Sequence, residues 1–112
     1  MKQSEIWLTD LNPTIAAEIQ KIRPVIIVSD DRLGKLPLKV IVPITDWKSH
    51  YSVAPWMVKI EPQNSNGLIK TSSADCFQVR SLLEERLIKK LGYIENDILT
   101  DIKEALKKVL SM

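Results

Sequence analysis

The chain has one cysteine, Cys76, and one histidine, His50, in 112 residues. A lone cysteine excludes an internal disulfide framework. With a lone histidine beside it, the usual zinc ligand sets and any two-histidine acid–base nuclease are excluded as well. The three glycines, Gly34, Gly67 and Gly92, stand apart, so no glycine loop is available to cradle a phosphate. The acids are scattered; the closest approach to a cluster is Asp30-Asp31, in a stretch that reads as a turn, which is no two-metal site. No apolar run nears the ~18 residues of a membrane-spanning helix. Glu5 and Asp10 interrupt the segment in which a signal peptide would carry its apolar stretch. Cys76, next to Phe77 and near Val79, reads as a small buried hydrophobe in a reducing compartment, so a cytoplasmic location and no membrane contact are expected.

What is present describes an ordinary globular chain. Hydrophobic residues make up 45% and charged residues 27%, and the length suits one compact domain over 1–112. The net charge of +2 is small for a dedicated duplex-DNA binder, and the excess of cations lies in the first half. Strands are predicted over 5–11, 22–29 and 38–45, shorter ones over 51–54 and 56–60, and another over 75–81. Glu61 to Gly67 is a polar loop of turn formers. Ser81 to Leu91 reads two ways: Leu83, Leu87 and Leu91 recur at helical spacing, or a turn at 82–86 precedes a strand from Leu87 to Ile94 with Gly92 at a bend. From Asp97 onward Ile98, Leu99, Ile102, Ala105, Leu106, Val109 and Leu110 share one helix face, with Asn96 or Asp97 as the cap. The fold class is therefore mainly β with α, a small barrel with a C-terminal helix packed on it.

Lys21-Ile22-Arg23-Pro24 runs into Val25-Ile26-Ile27-Val28, a strand that is apolar at every position. A guanidinium at the mouth of such a strand must be paired or face a cleft, because burying an unpaired charge is costly. Leu38 to Thr45 is a second strand-like run, and it ends in a hydroxyl. Arg23 and Thr45 facing one another across a cleft would suit a phosphate; the alternatives are an Arg23 ion pair with Glu18 or Asp46 and a Thr45 hydroxyl satisfied by backbone. Lys21, Lys48, Gln78 and Arg80 extend the set of cations and amides that bind phosphate without a metal. Trp47 beside Lys48 is the candidate for stacking on a base, whereas Trp7 and Trp56 read as core or interface.

These motifs stand in a familiar order. Glu5-Ile6-Trp7-Leu8-x-Asp10-Leu11-Asn12-Pro13, Glu18-x-x-Lys21-x-Arg23-Pro24, Val42-Pro43-Ile44-Thr45 and Gln78-Val79-Arg80 together resemble the MazF/PemK family of toxin endoribonucleases of type II toxin–antitoxin modules. The resemblance implies an SH3-like barrel, a homodimer, and cofactor-free, metal-independent cleavage of single-stranded RNA. It also selects turn-then-strand for 81–94. By position it makes Arg23 and Thr45 the catalytic pair, puts Glu18 and Lys21 on a loop shaping the RNA groove, and puts Gln78 and Arg80 nearby. A cognate antitoxin with a flexible acidic segment is implied, with DNA contacted only through the antitoxin complex. The chemistry implied is attack of a 2′-hydroxyl on the adjacent phosphorus, with Glu18 as a candidate base. Ser4 and Ala16 stand where the family usually has glycine, which restricts positive φ. Asp46 stands where many members have Ser or Thr, and an acid there would repel a phosphate unless it points away. The alternative is a non-catalytic RNA- or protein-binding module, a decayed toxin or a relative of the gyrase poison CcdB; the C-terminal Trp-Gly-Ile associated with gyrase poisoning is replaced here by Val109-Leu110-Ser111-Met112.

Overall fold

A computed structural model describes residues 1–11, 22–34 and 36–112. The strands are β1 (Glu5–Asp10), β2 (Ile22–Ile27), β3 (Leu38–Asp46), β4 (Met57–Ile60), β5 (Ser72–Asp75), β6 (Arg80–Leu83) and β7 (Leu87–Tyr93), and the helix α1 is Asn96–Leu110. All pairings are antiparallel, in the order β4-β5-β3-β2-β1-β7, with β6 also on β3. Glu18, Lys21 and Ala16 lie outside the described residues.

The uninterrupted apolar run of β2 has a structural cause: both of its faces are covered. Ile26 points into a core shared with Ile6, Val42, Ile44, Val58, Ile60 and the helix residues Leu99, Ile102 and Ala105. Val25 and Ile27 point the other way, into a second cluster with Leu11, Ile41, Leu82 and Leu87. A strand buried on two sides cannot alternate polar and apolar residues. Each fully buried aliphatic side chain contributes about 1.5–3 kcal/mol.

β3 is the common member of the assembly. Its first part pairs with β2 and β6, and its last residues leave that ladder to pair with β5, Thr45 opposite Ser73 and Asp46 opposite Ser72. β5 and β6 thus lie end to end along β3. The strand expected over 75–81 is broken in two because Asp75 accepts the Phe77 N–H at 3.2 Å and starts a 3₁₀ turn over Cys76–Gln78. The strand expected over 51–54 is a 3₁₀ segment, Ser49–Val53, closed by Tyr51 N–H to Lys48 C=O at 2.9 Å. A run this short before Pro55 finds local bonds rather than a partner strand. The turn-then-strand reading of 81–94 is borne out, with a 3₁₀ turn at Glu84–Arg86 leading into β7.

α1 packs on β4 and on the turn Cys76–Gln78. Its N-cap is Glu95, whose side chain makes no capping bond, rather than Asn96 or Asp97. The expected face is buried at Leu99, Ile102 and Ala105, half-buried at Ile98, Leu106 and Val109, and exposed at its end, Leu110. Cys76 is fully buried in the main core, and its thiol is pushed up to about 12 by burial and by neighbouring Asp75, so it offers no thiolate at neutral pH.

The N-terminus is tied to the barrel through Ser4, whose N–H donates to Ile27 C=O at 2.8 Å and whose C=O accepts from Ile94 N–H at 2.9 Å. Ser4 has φ +80°, left-handed backbone that favours glycine. That conformation costs a serine about 1–2 kcal/mol, and glycine forfeits about 0.4–1 kcal/mol through its looser unfolded chain. Ser4→Gly is therefore expected to stabilise the protein by about 0.5–1 kcal/mol in urea unfolding. No gain would mean that the Ser4 side chain stabilises the turn. Next to it, burial raises the Glu5 carboxyl, but hydrogen bonds from the Trp7 indole, the Lys2 backbone and Lys90 outweigh that and hold it down at about 2.

Candidate functional site

β2 and β3 carry Arg23 and Thr45 to the same end of the barrel. The register matches Val25 to Pro43 and Ile26 to Val42; extended along both strands it sets Arg23 against Thr45. Beyond Pro43 the two strands splay, because β3 turns away toward β5. A cleft of about 330 Å³ opens at this divergence, and both Arg23 and Thr45 line it. Ile22, Pro24, Ile44 and Asp46 continue the two strand walls, and Gly67, Leu68, Ile69, Lys70, Ser72 and Leu91 complete the lining, with Ser72 paired to Asp46. Arg23 and Thr45 are both partly exposed.

The loop that completes the lining is organised by a buried asparagine. Asn66 accepts from the N–H groups of Gln63 and Leu68, each at 3.0 Å, and donates to Glu61 C=O at 2.9 Å. It is only 3% exposed, and all three contacts are to the backbone of its own loop. Gly67 follows at φ +68°, where a Cβ would come within 2.3 Å of Leu91 C=O. The chain can therefore lie directly on β7 and deliver Ile69 and Lys70 to the cleft.

The alternatives for the two central residues fare differently. Asp46, one acid proposed to pair with Arg23, pairs instead with Lys70 at 3.1 Å. Glu18, the other, lies outside the described residues. Among the described residues none forms a hydrogen bond with the Thr45 hydroxyl, against the reading of a strand-end group satisfied by backbone.

The remaining candidates do not line the cleft. Trp47 follows Asp46 directly, with Tyr51 packed edge-on at 5.9 Å and the Lys59 ammonium 5.1 Å over its ring. A base stacking on that face would displace Lys59. Lys48 is exposed at the start of the 3₁₀ segment. Gln78 donates to Asp75 at 3.0 Å; burial raises the Asp75 carboxyl against this bond and the Phe77 N–H. Arg80 sits on β6 opposite Ile41, back along β3 from Thr45. Sequence reasoning missed Lys70 and the wall that carries it; the available signal was Asn66-Gly67, a turn pair followed closely by a cation. Among the described residues no group of three His, Cys, Asp or Glu is placed to hold a metal ion, and no helix is long and apolar enough to cross a membrane.

Comparison with known proteins gives one answer at the level of sequence and of fold. A relative from Mycobacterium tuberculosis, endoribonuclease MazF9, is 30% identical over 118 residues, covering 100% of this chain and 98% of its own. The crystal structure of MazF from Deinococcus radiodurans superposes with a TM-score of 0.80 at 20% identity, covering 100% of this chain and 97% of that one. A mycobacterial endoribonuclease solved in complex with its cognate antitoxin superposes at 0.78 with 19% identity, covering 100% and 96%. These two share the barrel-like fold of this chain. The model of the PemK-like, MazF-like toxins of type II toxin–antitoxin systems matches residues 2–110, so the chain belongs to that family.

Proposed function

We propose that this chain is the toxin of a toxin–antitoxin pair and an endoribonuclease that cuts single-stranded RNA without a metal ion. The observation that carries the reading is the convergence of Arg23 and Thr45 on one open cleft, at the point where β2 and β3 part. When a ribose 2′-hydroxyl attacks the adjacent phosphorus, negative charge gathers on the phosphoryl oxygens. Preorganised donors aimed at that charge are the main requirement, each worth about 3–4 kcal/mol at a site shielded from water. Arg23 supplies a planar fork matched to two oxygens, and Thr45 supplies a hydroxyl. The leaving 5′-oxygen takes up a proton and the ring closes, so the products are a 2′,3′-cyclic phosphate and a 5′-hydroxyl end. The exposed side chains of Ile22 and Ile69 flank the cleft and offer apolar surface to bases.

Two partners belong to this proposal. A second copy of the chain would cover the exposed row Leu36, Leu38, Val40 and Leu83, which lies where β3 meets β6, a strand with one open edge. An antitoxin with a flexible acidic segment would bind the same cations as RNA phosphates do. The test is incubation of the purified protein with single-stranded RNA in excess chelator, followed by analysis of the fragment ends. Cleavage with cyclic-phosphate and 5′-hydroxyl ends is expected. Loss of cleavage with chelator, or 5′-phosphate ends, would contradict the scheme.

A further inference from the structure

Lys70 and Asp46 form the one ion pair among the described residues that line the cleft. Both are well exposed, at 63% and 51% of the side chain. Asp46 is the residue after Thr45 on β3, and Lys70 comes from the adjoining segment, two residues before Ser72, the β5 partner of Asp46, and next to Thr71, whose C=O accepts from Trp47 N–H at 3.2 Å. The pair therefore lies on the cleft lining next to Thr45. It leaves Arg23 as the net charge of the described lining, in a cleft whose substrate would carry one negative charge per nucleotide.

We propose that Lys70 is a second phosphate-binding cation of this cleft, and that RNA loads by replacing the Asp46 carboxylate with a phosphate oxygen on the Lys70 ammonium. This rests on the RNA-cleaving reading above. Exchange is easy because an exposed ion pair of this kind is only weakly held. Lysine suits the task, being a flexible point charge that turns from one anion to another without a fixed geometry. Asp46 then sets the affinity. It occupies Lys70 until a polyanion with adjacent phosphates engages Arg23 and Lys70 together, and it disfavours small anions that meet only one of them. The departure of this chain from the family's usual Ser or Thr at position 46 thus carries its own compensation, placed on the adjoining segment.

The experiment measures binding of a mixed-sequence RNA pool with 2′-O-methyl riboses, which cannot be cut, at about 50 and about 200 mM salt, alongside cleavage of an unmodified transcript. Asp46→Asn is expected to tighten binding about threefold to tenfold, because it frees Lys70 and removes a repelling charge. Lys70→Ala is expected to weaken binding roughly tenfold and to reduce the salt slope by about 0.7, the signature of one lost phosphate contact on a single strand. Lys70→Arg keeps the charge and is expected to bind within about twofold of the original chain. Melting curves for each variant monitor the fold. A merely structural bridge makes the opposite forecast: Asp46→Asn and Lys70→Ala break the same pair and shift binding in the same direction. That outcome overturns the proposal, as does a loss in Lys70→Arg equal to that in Lys70→Ala. An original chain that cuts the transcript while the variants behave this way sinks only the role of Lys70. A chain that neither binds nor cuts RNA sinks the functional reading and this proposal with it.

Discussion

Arg23→Ala is expected to lower RNA cleavage by about 10²–10³-fold while leaving the fold in place. The size follows from what the guanidinium does. In the proposed reaction this cation would meet negative charge that grows as the phosphodiester breaks. Its loss therefore weighs more on the turnover rate than on binding of the intact RNA. Arg23→Lys keeps the charge but replaces the planar fork with a point charge, so it is expected to recover only part of the rate. Thr45→Val removes the hydroxyl and keeps the shape of the strand, with an expected loss of about 10². Arg23 lies at the start of β2, outside both apolar clusters, so thermal melting of Arg23→Ala should stay close to that of the original chain. A variant that cuts at the normal rate would remove Arg23 from the chemistry. One that cuts slowly only because it melts early would give it a structural role instead.

The second large effect is expected at Gly92, the residue after Leu91 of the cleft lining. A Cβ on Gly92 would come within 2.2 Å of Ser65 C=O and within 3 Å of Asn66 backbone atoms. None of these is the end of a flexible side chain, so the whole 61–70 loop must lift. Lifting it breaks the bond from Tyr93 N–H to Ser65 C=O and disturbs the backbone that Asn66 holds. Gly92→Ala is accordingly expected to destabilise by about 2–4 kcal/mol in urea unfolding, in the upper range for single substitutions. Below the unfolding transition it should also weaken RNA cleavage, because Lys70 and Ile69 ride on the displaced loop. An unchanged midpoint with unchanged cleavage would show that the loop docks without this close approach.

Much of this architecture was legible in the residues. β2, β3 and α1 announced themselves through an unbroken apolar run, a second strand-like run ending in a hydroxyl, and a helical stripe. Local patterning fails where tertiary contacts decide. Tyr51 and Val53 favour strands, yet no neighbour was available to pair with them and they coil beside Trp47. The 75–81 run is split by a cap from Asp75, a side-chain event that hydrophobic periodicity does not register. The central pair of the site could be picked out because a cation and a hydroxyl mark the ends of two strong strands. Lys70 could not, since its meaning comes from Asp46, a residue distant along the chain that a change of ladder brings opposite it. Gln78 was assigned to the RNA site by family position, and its side-chain amide donates to Asp75 instead of lining the cleft.

The two sides of the cleft differ in how firmly they are anchored. Thr45 rides on β3, which is bonded to three other strands, so releasing it requires disassembly of nearly the whole sheet. Lys70 sits at the end of a loop held by the Asn66 side chain and by the bond from Tyr93 N–H to Ser65 C=O, and the chain rejoins β3 just beyond it, where Trp47 N–H meets Thr71 C=O. In the proposed reaction the phosphate would therefore meet an unyielding reference on β3, and accommodation to different nucleotide sequences would fall to the side chains of the loop.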